Sequence, residues 1–247
     1  MRDFDTTHLM FLTITLAFWV LSSYAVSKMS RKWQNVMFAI GAIMAAGGIF
    51  FRYGMGLSFD GGFTFQTLAM QMMQVCNFNL ILVLLMLVPR FELARQYSVF
   101  FSMFAAFTTL VSIPNVWENY HFLDLQVLNS WLNHVFDIAL PMWMIAARRL
   151  KPRREYVWKV GACVFGYFTV VAAISTLLIH LGVMTAAHSY SFIFTTDGIG
   201  IFELLRSWIP LPYFYLYPIF PLMIGFFYLW AWVFRKYEVE PFALGKG

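Results

Sequence analysis

The sequence predicts an all-α polytopic membrane protein, a bundle of seven transmembrane helices with its N-terminus outside and its C-terminus cytoplasmic, in a single domain over residues 1–247. Three observations predict it. Hydrophobic residues make up 61% of the chain and charged residues only 12%, about half the charged share of a soluble domain. Seven apolar stretches approach or exceed the roughly 20 residues that cross a bilayer. The basic residues crowd every second connection between those stretches.

The stretches cover about 8–27, 36–55, 65–88, 97–113, 127–147, 157–181 and 213–234. The acidic start Met1-Arg2-Asp3-Phe4-Asp5, followed by an apolar run long enough to span, reads as an anchored first helix with no cleaved signal peptide. The connections after the first, third and fifth stretches, with the C-terminal tail, hold fourteen of the seventeen Lys and Arg residues; only Arg2, Arg52 and Arg206 fall on the other side. A basic excess marks the cytoplasmic side, which sets the orientation and a multi-pass location in the cell membrane. The net charge of +5 is therefore a signature of membrane orientation, and with no basic domain the chain is not a nucleic-acid binder. The two cysteines, Cys76 and Cys163, form neither a disulfide framework nor a zinc spacing.

The third stretch is unusual because it carries Gln71, Gln74, Cys76, Asn77 and Asn79, which point nearly all round a helix axis. Lipid contact would make each costly, so this helix is expected to be enclosed by its neighbours. In the fifth stretch, Gln126, Ser130, Asn133, His134 and Asp137 share an arc of about 100°, the pattern of a helix face lining a protein interior or a wet cavity.

Helix rise converts position into depth. Cys76 lies fourteen residues before Arg90, and His134 fourteen before Arg148, so both sit about 21 Å above the cytoplasmic arginines. Groups at one depth on neighbouring helices can touch. Cys163, four residues past Lys159, lies about 6 Å up, and His180 about 31 Å up, so neither is placed to meet Cys76. The same ruler separates His134 from His180 by about 10 Å and argues against bis-histidine haem ligation. No cofactor and no metal are expected.

Alone, Cys76 reads as a small apolar filler, His134 as either a helix-bridging hydrogen bonder or a chemical group, and the polar belt of the third stretch as interhelical adhesive. Together, Cys76 and His134 form a nucleophile–base pair: the imidazole takes the thiol proton and the thiolate attacks an ester carbonyl to give an acyl-enzyme. Asp137, three residues on, is the expected orienting partner of His134. Asn77, Asn79 or Asn133 would donate to the oxyanion, and Gln74, Asn77, Asn79, Ser130 and Asn133 are the expected substrate-binding groups. At this depth the substrates would be membrane phospholipids, as acyl donor and acceptor. Water as acceptor would make a lipid hydrolase, and a transporter with a polar central cavity is the rival from another class, although the halves show no inverted repeat.

Gln74-Val75-Cys76-Asn77, Pro114-Asn115, Asn133-His134 and Trp208-Ile209-Pro210-Leu211-Pro212-Tyr213 together resemble the YwaF-like integral membrane family, which includes the mammalian acyltransferase of ether phospholipids. The resemblance implies a cysteine that carries an acyl group and a histidine that acts as its base, roles that map onto Cys76 and His134. A related androgen-regulated branch of lipid-ester hydrolases uses threonine as nucleophile, so the thiol favours the acyltransferase side. The last motif departs from the Gly-Pro-Trp-Pro-Trp-like run of relatives, where acceptor specificity would lie.

Overall fold

The computed structural model describes residues 5–55, 73–112, 121, 123–185, 191–196 and 198–239. Positions 65–72 of the third stretch, Gln71 among them, lie outside the described residues, as do Pro114-Asn115. Within the described residues the chain is helical and has no strand. The helices are α1 (Thr6–Lys28), α2 (Arg31–Gly54), α3 (Val75–Leu85), α4 (Glu92–Tyr97), α5 (Met103–Val111), α6 (Leu125–Ala146), α7 (Val157–His180), α8 (Gly200–Trp208) and α9 (Ile219–Val233).

Four of the described segments are long and apolar enough to cross a membrane: Thr6–Lys28, Arg31–Phe51, Arg154–His180 and Phe214–Val233. Seven were predicted, and the other three depart for separate reasons. The third stretch does not run as one helix: at Gln74 the backbone is extended, and α3 begins only at Val75 and is 11 residues long. The fourth is helical from Glu92 to Val111 through a buried π-helical turn, Ser98–Ser102, but it opens on the polar Glu92, Arg95 and Gln96. The fifth, α6, has 22 residues but carries Asn, His and Asp along its length.

That polar helix is the centre of the bundle. Fourteen of the 22 residues of α6 are buried, against seven of the 24 in α7. It packs on α1, α2, α3 and α5, while the apolar helices turn Val20, Leu21, Val170 and Leu177 outward. Polar residues inside and apolar residues outside is the arrangement of a chain surrounded by lipid.

Indole N–H groups zip α1 to α6. Trp131 Nε1 donates to Thr15 Oγ1 at 3.1 Å, Trp19 Nε1 to the Val135 carbonyl at 2.9 Å, and Trp143 Nε1 to Ser22 Oγ at 2.8 Å. The partners advance together, so α1 and α6 run parallel, and each donor is satisfied away from water, as a buried indole requires. The α2–α6 contact is antiparallel and close, with Gly41 against Trp143 and Gly48 against Asn133; a Cβ at Gly48 would overlap the Asn133 carboxamide. Asn129 Nδ2 donates to the Gly48 carbonyl at 3.0 Å in the same seam.

One end of the bundle gathers basic residues and their partners. Arg95 bonds Glu92 at 2.9 Å and the Arg149 carbonyl at 2.5 Å, and Gln96 joins Lys151 O and Arg153 N. Lys151 Nζ donates to Tyr237 O at 3.0 Å, and Tyr237 Oη to Ile145 O at 2.6 Å. The start of α4 and the ends of α6 and α9 therefore lie together. At the opposite end, His8 Nε2 donates to the Leu110 carbonyl at 2.8 Å, joining the start of α1 to the end of α5.

Candidate functional site

Cys76 is the second residue of α3, where the first-turn N–H groups point out of the helix start and the dipole favours negative charge. A clamp fixes this helix start. Ser191 Oγ accepts the Val75 N–H at 2.9 Å and donates to the Met73 carbonyl. Tyr167 Oη donates to the same carbonyl at 2.8 Å. Ser191 adopts φ 57°, the left-handed region, with its own N–H donated to Gln74 Oε1 at 2.8 Å. Gln74, expected to bind substrate, is thus engaged in joining two segments of chain.

On one side of Cys76 lies a small polar cavity of about 20 Å³, lined by Cys76, Asn77, Leu80, Ser130, Asn133, His134 and Asp137. That is room for about one water. Six of the eight predicted site residues therefore converge on one space: Cys76, Asn77, Ser130, Asn133, His134 and Asp137. The other two lie elsewhere, Gln74 in the clamp and Asn79 fully buried outside the lining. The arc on α6 brings four of its five members together because residues three and four apart share a helix face, while Gln126 lies outside the lining.

The ring orientation differs from expectation. His134 Nδ1 lies 2.7 Å from the Ser130 carbonyl, one turn back on α6, so Nδ1 carries the proton and Nε2 is the basic nitrogen. The role expected of Asp137 thus falls to a backbone carbonyl. Asp137 is 1% exposed, and its Oδ1 has no hydrogen-bond partner among the described residues. Pro141, lacking an N–H, also withdraws the helical partner of the Asp137 carbonyl. Polar groups are thus concentrated at this level of α6.

On the other side Cys76 lines an apolar cleft of about 220 Å³ between α5, α7, α8 and α9. An apolar cavity of about 150 Å³ already holds a benzene. From α5 and the turn before it come Phe101, Phe104, Ala105, Thr108 and Thr109, and α9 contributes Ile219, Phe220, Leu222 and Met223. The Thr109 hydroxyl donates to Ala105 O at 3.1 Å and lies 3.9 Å from the Cys76 sulfur, a weak contact.

Thr109, Tyr167, Ser191 and the cleft were not anticipated from sequence. A signal for Thr109 existed: it lies fourteen residues past Arg95, the same depth as Cys76 and His134. No sequence signal points to Ser191, which acts through a left-handed backbone far along the chain. Among the described residues no group of three or more His, Cys, Asp or Glu side chains is placed to hold a metal ion. Comparison with models of known protein families, with characterised proteins and with solved structures gives no match to this chain.

Proposed function

We propose that this protein is a membrane-embedded lipid acyltransferase in which Cys76 carries the acyl group as a thioester and His134 moves the protons. The observation that carries the reading is the position of Cys76, which lines both a polar cavity shared with His134 and an apolar cleft fit for a hydrocarbon chain. His134 Nε2 takes the thiol proton, and the sulfur attacks the ester carbonyl of a phospholipid. The tetrahedral intermediate collapses as the carbon–oxygen bond breaks, and the imidazolium gives its proton to the departing lysolipid oxygen, which leaves as a hydroxyl. In the second half a lipid hydroxyl gives its proton to His134 and attacks the thioester, releasing the Cys76 thiol. Asn77 and Asn133, which line the cavity, supply amide donors to the oxyanion, and the start of α3 adds its dipole.

The packing supports seven traverses of a cell membrane. Parallel α1 and α6, antiparallel α2 and α6, and the shared basic end of α4, α6 and α9 follow an alternating up-and-down path, with that end cytoplasmic by its charge. The YwaF-like resemblance assigns the same roles to Cys76 and His134.

Hydrolysis is a second reading, favoured by the water-sized polar cavity beside Cys76. A solute transporter is disfavoured by the same volume. The test is intact-protein mass and labelled-lipid turnover in proteoliposomes. Wild type gains one fatty acyl group, and Cys76→Ala and His134→Ala do not. Acyl label retained in both variants overturns the reading, and free fatty acid as sole product selects hydrolysis.

A further inference from the structure

The apolar cleft has a direction, and it bears on which leaflet supplies the acyl donor. It meets Cys76 beside Thr109 and touches α5 and the turn before it at Phe101, Phe104, Ala105, Thr108 and Thr109, one face of a helical run. Thr109 lies fourteen residues past Arg95 and Phe101 only six, so along this wall the cleft descends about 12 Å from the level of Cys76 toward the basic end of the bundle. Val164 and Phe168 of α7 line it as well, and Val164 is five residues past the basic Lys159. Its outer lip is formed by Ile201, at the start of α8, and Leu222 of α9, which are 50% and 73% exposed, so the cleft reaches the lipid-facing surface there. Among the exposed side chains of α8, the apolar Ile201, Leu204 and Trp208 are spaced at i, i+3 and i+7 along one face, with the exposed Glu203 and Ser207 off it, the pattern of a helix lying in a membrane interface.

A phospholipid in a bilayer has its ester carbonyls near its own interface and its chains running toward the midplane. The cleft also extends past Cys76 to Ile199, Phe202 and Leu216, and that part forms its mouth. With the carbonyl at Cys76 and the tail in the arm along α5, the tail points toward the basic end and the headgroup toward the other side. That is the orientation of a lipid in the leaflet opposite the basic end. A lipid from the basic-end leaflet would have to invert to fit. We infer that the acyl donor is drawn laterally from the leaflet opposite the basic end, between α8 and α9, with its chain lying along α5 past Ala105. This rests on the reading of Cys76 as the acyl carrier.

The test uses full-length protein in a Cys163→Ser background, reconstituted in vesicles whose protein orientation is read by protease access to a C-terminal tag. Phosphatidylcholine with a radiolabelled sn-2 oleoyl chain is exchanged into one leaflet only, and acyl-protein formation is timed. The expected result is labelling at least about tenfold faster when the donor occupies the leaflet opposite the basic end. Equal rates from both leaflets, or faster labelling from the basic side, overturn the inference and leave the thioester reading standing. No acyl-protein from either leaflet overturns the thioester reading, and this inference with it. A second variant tests the chain path. Ala105→Trp should cut oleoyl transfer at least about tenfold, keep transfer from a butanoyl ester, and keep N-ethylmaleimide labelling of Cys76. Oleoyl transfer at the wild-type rate, or equal loss with both donors, overturns the path along α5.

Discussion

On one side of the Cys76 sulfur, Ser130, Asn133, His134 and Asp137 crowd a space for about one water; on the other, aromatic and aliphatic side chains wall a cleft about ten times larger. The polar side comes largely from a single helix face, α6, while the apolar side is assembled from four helices. The first is suited to charge and proton movement, where hydrogen-bond geometry decides the outcome. The second is suited to shape, where volume decides it. Under the proposed acyltransferase reading the contrast divides the labour: a hydrocarbon would stay in an apolar space while the reacting atoms meet fixed dipoles.

The comparison can be broken from either side. Cys76→Ala removes the atom the two spaces share; acyl-protein and turnover should fall by about a thousandfold or more with the thermal midpoint little changed, as measured in proteoliposomes. His134→Gln acts on the polar side alone and should lower turnover by about 10²–10⁴-fold, while maleimide labelling continues to report an accessible Cys76. Ser191→Ala loosens the clamp without touching either space. The loss of its bonds to Val75 N and Met73 O should cost about 1 kcal/mol of stability, with a severalfold fall in turnover. Gly48→Ala forces the Asn133 carboxamide aside, an overpacking cost of about 1–3 kcal/mol; its thermal midpoint should drop, and turnover should fall less than in His134→Gln. Thr109→Val removes a 3.9 Å sulfur contact and a local bond to the Ala105 carbonyl, and should change turnover by no more than about twofold.

Depth arithmetic brought Cys76 and His134 to one level from the positions of Arg90 and Arg148 alone, because helix rise is constant and cytoplasmic arginines mark an interface. The face shared by Ser130, Asn133, His134 and Asp137 was legible for the same geometric reason. The place of Gln74 was not legible because a polar residue in an apolar stretch reads as part of a continuous helix. The extended backbone at that residue and its bond to Ser191 depend on a segment more than a hundred positions away. The orienting partner of His134 was not legible either: an i+3 carboxylate and an i−4 carbonyl are both within helical reach, and only the rotamer selects between them.

Composition and periodicity by themselves determined that this chain is helical, is built for a lipid environment and has a polar face on its fifth stretch, since these follow from transfer free energies and helical pitch, which are local properties. Only the tertiary structure decided that this face lines a water-sized cavity, that Cys76 lies in the first turn of a helix whose start is held by Ser191 and Tyr167, and that an apolar cleft borders Cys76. Each of those depends on contacts between residues far apart in the chain, and helix spacing carries no record of which helices become neighbours.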